Sequence, residues 1–486
     1  MPLILGANTL SAGGYEVDNS LRFNSGSSDY LSRSLGASET SIQRGTFSFW
    51  VKRSSLTSAS SEMIYSNEVA DDNNRGFIQF EDNDSFRIVD TAGGVNQLQL
   101  KTNRLFRDVS AWYHIVVAID TTQSTASDRL KIYINGVQET SFSTETYPDQ
   151  NDNLKLLEGG QTDKNLIGLN YGGSAYFGGY LAEFVYIDGT QNAVTDFGEF
   201  DEDSGIWKPI NVSGLTFGNN GFFLEFKDSS ALGDDTSGNS NDFTVNNLTS
   251  ADQTTDTPTN NFATLNPLGF AGTIPTFSQG NLNVVCGSGV SLYSVSTIGV
   301  SSGKWYVEGE IEQATADGGL YYIDFGFADR ADSAGTSLYV TNPGRFFWHS
   351  SWDGKINYRN NGSTTTGLVT GLATFVPGDF FQLYLDMDNE LMYWGKNGSL
   401  LNSTGVSFNG KESLTGEYFF AFGDQFTSGT HEYAVNFGQG SIDGVGVSAY
   451  QDVNGFGSFK YNPTVTTDEG SKDFLALCTK NLAEYG

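Results

Sequence analysis

Trp112-Tyr-His-Ile-Val-Val-Ala-Ile-Asp120, followed after a polar gap by Leu130-Lys-Ile-Tyr-Ile-Asn-Gly-Val137, decides the fold. In the first run Tyr113, Ile115, Val117 and Ile119 fall on one side of a pleat of period two. The second ends in Asn135-Gly136, the dipeptide of a two-residue hairpin turn. Thr46-Phe-Ser-Phe-Trp-Val51 alternates in the same way, with Phe47, Phe49 and Val51 on one face. Short aromatic or β-branched runs of this kind recur along the chain, bounded by Gly, Asn, Asp or Ser. No window longer than about ten residues carries a helical period, so the fold class is all-β.

The composition agrees. Of 486 residues 38% are hydrophobic, 58 are Gly and only 4 are Met, a palette of strands and turns with ample core material. A length of this order predicts two or three domains. The net charge of −31 comes with no compensating basic run, which excludes nucleic acid as a partner, because such binding rests on Lys and Arg neutralising phosphates. Cys286 and Cys478 have apolar neighbours and read as buried thiols of a reducing compartment, with a disulfide as the alternative. The start, Met1-Pro-Leu-Ile-Leu-Gly6, has no basic segment and too short an apolar run for a secretion signal, and no stretch approaches a membrane span. Synthesis in a cytoplasm and no membrane partner are expected.

Ser250-Ala-Asp-Gln-Thr-Thr-Asp-Thr-Pro-Thr-Asn-Asn261 offers few residues for burial and reads as a connector. The expected division is a first domain over 1–248 with its core at about 15–190, a linker over 249–268, and a second domain with a C-terminal extension over 269–486.

The first half resembles the laminin G / concanavalin A-like lectins. The resemblance runs through Phe47-Ser-Phe-Trp-Val-Lys-Arg53, the two opening runs, Leu166-Ile-Gly-Leu-Asn170 and Phe177-Gly-Gly-Tyr-Leu-Ala-Glu-Phe-Val-Tyr-Ile187. The second half resembles SPRY-type domains through Gly303-Lys-Trp-Tyr-Val-Glu-Gly-Glu-Ile311, Tyr322-Ile-Asp-Phe-Gly-Phe-Ala328, Gly378-Asp-Phe-Phe-Gln-Leu-Tyr-Leu-Asp386 and Leu391-Met-Tyr-Trp-Gly-Lys-Asn-Gly398. Together they imply two antiparallel jelly-roll-type β-sandwiches in tandem, and recognition in place of chemistry. Phe222-Phe-Leu-Glu-Phe226 and the Asx-rich stretch after it resemble a strand and turn that often open laminin G-like domains, which leaves open which sandwich they join. The whole arrangement, opening with Met1-Pro-Leu-Ile-Leu-Gly-Ala-Asn8, is similar to structural proteins of marine tailed bacteriophages. That resemblance implies a virion appendage or decoration protein on the outer surface of the particle, binding host-surface glycan or protein. Its implied partners are other virion proteins and further copies of itself. A purely structural capsid or tail component is the alternative.

Lectin-like folds also host glycosidases, whose paired carboxylates lie in phase on one strand. The nearest string, Glu199-Phe-Asp-Glu-Asp203, falls out of phase and reads as an exposed acidic loop, so no enzyme is expected and a capsule-degrading glycosidase is disfavoured. His114, His349 and His431 have no metal spacing, and His114 reads as a ring tucked under a loop. Calcium is the one cofactor in view, with Asp228, Asp234, Asp235 and Asn239, or Asp71 and Asp72, as oxygen donors; the same residues are ordinary turn formers. Sugar binding needs exposed aromatic faces beside planar polar groups. Two loops supply them: Tyr171-Gly-Gly-Ser-Ala-Tyr176, and Phe346-Phe-Trp-His-Ser-Ser-Trp-Asp353. The candidate ligand residues are Tyr171, Tyr176, Trp348, Trp352 and Asp353, with Tyr176 and Trp348 also readable as core and Trp352 the best exposed ring.

Overall fold

The Asn135-Gly136 hairpin forms as the dipeptide requires: Leu130–Ile134 and Val137–Glu139 pair antiparallel, and both turn residues have positive φ, 49° and 78°. A Cβ on Gly136 would sit 2.2 Å from the Trp207 ring, so the position needs glycine for space as well as for conformation. The computed structural model describes residues 14–34, 38–56, 61–71, 73–158, 164–170, 172–268, 275–287, 293–314, 322–329, 345–360, 363–411, 416–424 and 429–486. The chain divides into two compact units, Leu10–Thr259 and a second containing Asn260–Gly486.

The first unit stacks two large antiparallel sheets. In spatial order the first sheet runs Val137–Glu139, Leu130–Ile134, Tyr113–Asp120, Arg44–Arg53, Gly179–Asp188, Ser20–Phe23 and Gln253–Thr254, with Phe222–Leu224 also on Gly179–Asp188. The second runs Phe142–Thr146, Val95–Leu105, Ser85–Ala92, Asn74–Phe80, Glu62–Asp71, Lys164–Ile167, Tyr30–Ser34 and Thr244–Asn246. Phe47, Phe49, Val51, Ile115, Val117 and Ile119 enter the core between them, with Tyr113 packed at its edge, on the expected pleat faces. Phe222–Leu224 and Thr244–Asn246 settle the open question: both belong to the first sandwich.

The outer face of the first sheet is covered too, which one-sided alternation does not convey. Trp50, Trp112, Tyr180, Ala182 and Trp207 form a separate apolar cluster there, with Val17. The stretch read as a connector helps to cover it. Asp252, Thr254, Asp256, Thr257 and Thr259 are all buried, as are Phe262, Ala263, Thr264 and Leu265 after them, so the reading of 249–268 as a linker with few residues to bury does not hold. Asp256 accepts from Lys52 Nζ at 2.8 Å and from Trp112 Nε1 at 3.0 Å, and its carbonyl accepts from Ser20 Oγ at 2.6 Å. Arg22 Nη2 reaches Asp252 at 3.0 Å. Hydrogen bonds and buried ion pairs replace the apolar side chains that the stretch lacks.

The second unit repeats the two-sheet plan. One sheet orders Thr276–Ser278, Asn283–Cys286, His431–Asn436, Lys304–Ala314, Phe380–Asp386, Leu391–Lys396 and Ser399–Leu400; the other orders Tyr293–Val295, Phe419–Asp424, Ile323–Ala328, Arg345–Ser350, Lys355–Asn360 and Ser363–Val369. Trp305, Phe325, Phe381, Trp394 and Phe420 fill the core between them. Two features depart from a purely antiparallel β fold. Leu475–Ala476 lies parallel to Lys304–Ala314, and a short helix, Thr479–Tyr485, follows it. Both cysteines are buried thiols of this unit, not joined in a disulfide, Cys286 in the main core and Cys478 in a second cluster with Phe262, Tyr306, Phe459 and Phe474. Burial pushes the Cys478 thiol up to about 12.

Candidate functional site

Four neighbouring strands of the first unit's second sheet turn alternate residues away from the core, and cross-strand register arranges these in rows. Met63, Gln79, Arg87 and Lys101 make one row. Ser66, Phe77, Val89 and Gln99 make the next, and Arg75, Thr91 and Asn96 continue the pattern. Ile64 and Tyr65 both face the core because a bulge between Met63 and Tyr65 adds one residue there. Met63, Phe77 and Val89 form a small apolar patch on this outer face.

Over that patch lies a cavity of about 290 Å³, lined by residues that include Met63, Phe77, Gln79, Arg75, Arg87 and Asn170. Its size sits at the small end of ligand pockets, which run from about 300 Å³ upward. The Arg75 and Arg87 guanidiniums lie 5.5 and 5.8 Å from the centre of the Phe77 ring. Arg87 Nη1 donates to Glu81 at 2.9 Å, and Lys101 Nζ reaches the other Glu81 oxygen at 3.4 Å. Burial raises the Glu81 carboxyl, but Arg87, Gln79 and Lys101 outweigh it and hold the group below its ordinary value. Arg87 Nε is buried without a hydrogen-bond partner among the described residues.

The aromatic loop nominated from sequence adjoins this cavity: Asn170 and Ala175 line it, and the Ala175 carbonyl accepts from the Met63 N–H at 3.1 Å. Tyr171 lies outside the described residues, and Tyr176 is half-buried, its ring 6.4 Å from that of Tyr30. In the second unit Trp348 is buried and stacked 4.9 Å from Phe346, so it offers no exposed ring. Trp352 is half-buried, 5.4 Å from the Tyr322 ring and 5.8 Å from Lys355 Nζ, which pairs with Asp353 at 2.7 Å. The reading of Trp352 as a freely exposed ring is corrected by that packing.

Sequence reading missed Arg75, Phe77, Gln79 and Arg87. The signal was there in Asn74-Arg-Gly-Phe-Ile-Gln-Phe80, where every second residue is large or charged although the face points out.

The acidic string at 199–203 is not a uniformly exposed loop. Asp201 is buried and accepts from the N–H groups of Asp203 and Ser204 and from Lys208 Nζ at 3.1 Å, closing the hairpin of Gly198–Phe200 and Trp207–Pro209. Glu199 also faces Lys208. Of the calcium candidates, Asp235 accepts from Phe223 N, Ser237 N and Asn241 N, and Asp228 from Ser230, while Asp234 is exposed. Asn239 donates to the Gly218 and Gly221 carbonyls. Asp72 and the Asp71 side chain lie outside the described residues. Among the described residues no three His, Cys, Asp or Glu side chains gather as metal ligands.

Residues 25–197 match the concanavalin A-like lectin/glucanases superfamily. No curated protein matches the chain. Among solved structures, the SPRY domain of human HERC1 is 19% identical, with 35% of this chain and 96% of that one covered and a TM-score of 0.27. A heptameric SAP-like pentraxin from Limulus polyphemus is 13% identical, covering 36% and 78%, with a TM-score of 0.27. Domains LG4-5 of the mouse laminin alpha1 chain are 11% identical, covering 87% and 83%, with a TM-score of 0.28. With most strands of the two stacked sheets just described lying within the matched residues, the first unit has a laminin G / concanavalin A-like fold.

Proposed function

We propose that this chain is a glycan-binding protein without catalytic chemistry, carried on the outer surface of a virus particle. The observation that carries the binding reading is the lined cavity on the outer face of a lectin-type sheet. There an aromatic ring, side-chain amides and guanidiniums converge within one small concave surface. Apolar area for one face of a sugar ring, with planar donors for its hydroxyls, is the chemistry of carbohydrate recognition. The placement on a virion is supported by the sequence's likeness to phage structural proteins. Neighbouring virion proteins and further copies of the chain are its proposed partners.

The purified full chain should be retained by bacterial surface polysaccharide. Ser61→Trp, a bulky plug at a lining position, should abolish retention while leaving the melting temperature unchanged. No retention of the unaltered chain, or equal retention of the plugged one, would sink the assignment. Mass spectrometry of purified particles should recover the chain, and its absence there would remove the virion placement alone.

A further inference from the structure

We propose that Lys52 and Asp256 join through a side-chain amide, an isopeptide bond that fastens the stretch around Asp256 to strand Arg44–Arg53 with loss of one water. The ion pair described above is the state from which the bond forms. Lys52 Nζ lies 2.8 Å from Asp256 Oδ2, with the two side chains 1% and 0% exposed. Among the described residues Lys52 is the one buried lysine. Its surroundings are apolar: Trp112 and Tyr180 belong to the cluster on this face, and the Tyr180 ring centre is 5.6 Å from Nζ. Burial lowers the Lys52 amine below its ordinary value, against the pull of Asp256. A charged pair withdrawn from water is costly, and passing one proton from the ammonium to Oδ2 leaves two neutral groups in contact. These are the reactants, an amine nucleophile and a carboxylic acid. The nitrogen lone pair forms the bond to Cγ, and the displaced C=O electrons collect on Oδ1. Trp112 Nε1 donates to that oxygen at 3.0 Å and stabilises the charge there. As the C=O reforms, the bond from Cγ to the protonated Oδ2 breaks. That hydroxyl takes a proton from the nitrogen and leaves as water, so no further reactant enters the balance. Groups held side by side out of water need no encounter. The other buried ion pairs lack one of these features. Arg22 with Asp252, and Arg53 with Glu62 and Asp84, use a guanidinium, which stays charged. Burial lowers Lys472, but Asp386 at 2.8 Å and the exposed Glu469 at 2.7 Å outweigh it and raise the amine, so it stays an ammonium. The bond joins positions 204 apart and constrains the unfolded chain as a disulfide does, in a chain whose cysteines are not joined in one.

The test is the intact mass of the purified full chain, measured after denaturation. Most of the chain should be lighter by one water than its sequence requires, and a protease digest should contain a branched peptide joining Lys52 to Asp256. Lys52→Arg and Asp256→Ala should each show their full calculated mass. Asp256→Asn, whose amide carbon can be attacked in the same way, should lose ammonia in place of water. Where a single replacement fails to fold, Lys52→Met with Asp256→Leu removes both reacting groups together and should also keep its full mass. Lys472 and Asp386 should be recovered in separate linear peptides. Full mass in the unaltered chain after it has stood folded for days would overturn the proposal. So would a loss of water that persists in Lys52→Arg, or one without the branched peptide, since that dehydration lies elsewhere in the chain.

Discussion

His114 shows how little of a residue's chemistry its own sequence position reveals. It was expected under a loop, and the structure places it between two tryptophans, its ring 4.7 Å from Trp50 and 6.0 Å from Trp207. Indole nitrogen only donates, so the 2.9 Å bond from Trp207 Nε1 makes His114 Nδ1 the acceptor. The proton therefore sits on Nε2, directed at Ser48 Oγ 2.9 Å away. Burial holds the ring's pKa down to about 3. NMR of the labelled ring should show this single neutral tautomer from about pH 8 to about pH 5, and a midpoint near the usual value of about 6.5 would contradict it. The tryptophans of the second unit divide in the same physical terms. Trp305 is fully buried, and Trp305→Ala should cost about 3–5 kcal/mol in a denaturant titration. Trp352 keeps one side in solvent against Tyr322, so Trp352→Ala should cost less than half of that.

At the level of elements, strands were legible and their cover was not. Phe47, Phe49, Val51 and the Asn135-Gly136 turn could be placed because alternation and turn chemistry are local properties. The burial of residues 250–259 could not, because it depends on Lys52 and Arg22, more than two hundred positions earlier in the chain. Thr and Asp look like solvent-facing residues until their partners are known. Asp256→Ala leaves the Lys52 ammonium buried without its carboxylate and should cost about 3–5 kcal/mol. Replacing both together, Lys52→Met with Asp256→Leu, should cost much less. Equal losses in the two experiments would show that shape, and not charge, holds the segment down. A chain cut after Ser250 should fail to give a stable first unit, since it lacks both Asp252 and Asp256.

For the molecule as a whole, the acidic composition has a titration signature. Burial lifts Glu62 to about 6, Asp90 to about 7, Glu312 to about 7 and Glu183 to about 8. These folded values lie above the unfolded ones, so at these four carboxyls the native chain binds more protons than the unfolded chain between about pH 4 and pH 8, outweighing the opposite effect of the buried His114. Their contribution is fully present at the acid end of that window and is lost as pH rises through the folded values. The melting temperature should accordingly be higher near pH 5.5 than near pH 8.5, with relief of the net negative charge acting in the same direction. A melting temperature that rises with pH over that range would contradict the assignment. The two buried thiols offer a clock for motion in the same molecule. Both lie in the second unit, one between the sheets and one beside the C-terminal strand and helix. A thiol-reactive reagent can therefore report openings of that unit alone, and Cys478 should be modified faster than Cys286 if the C-terminal strap detaches before the sheets part.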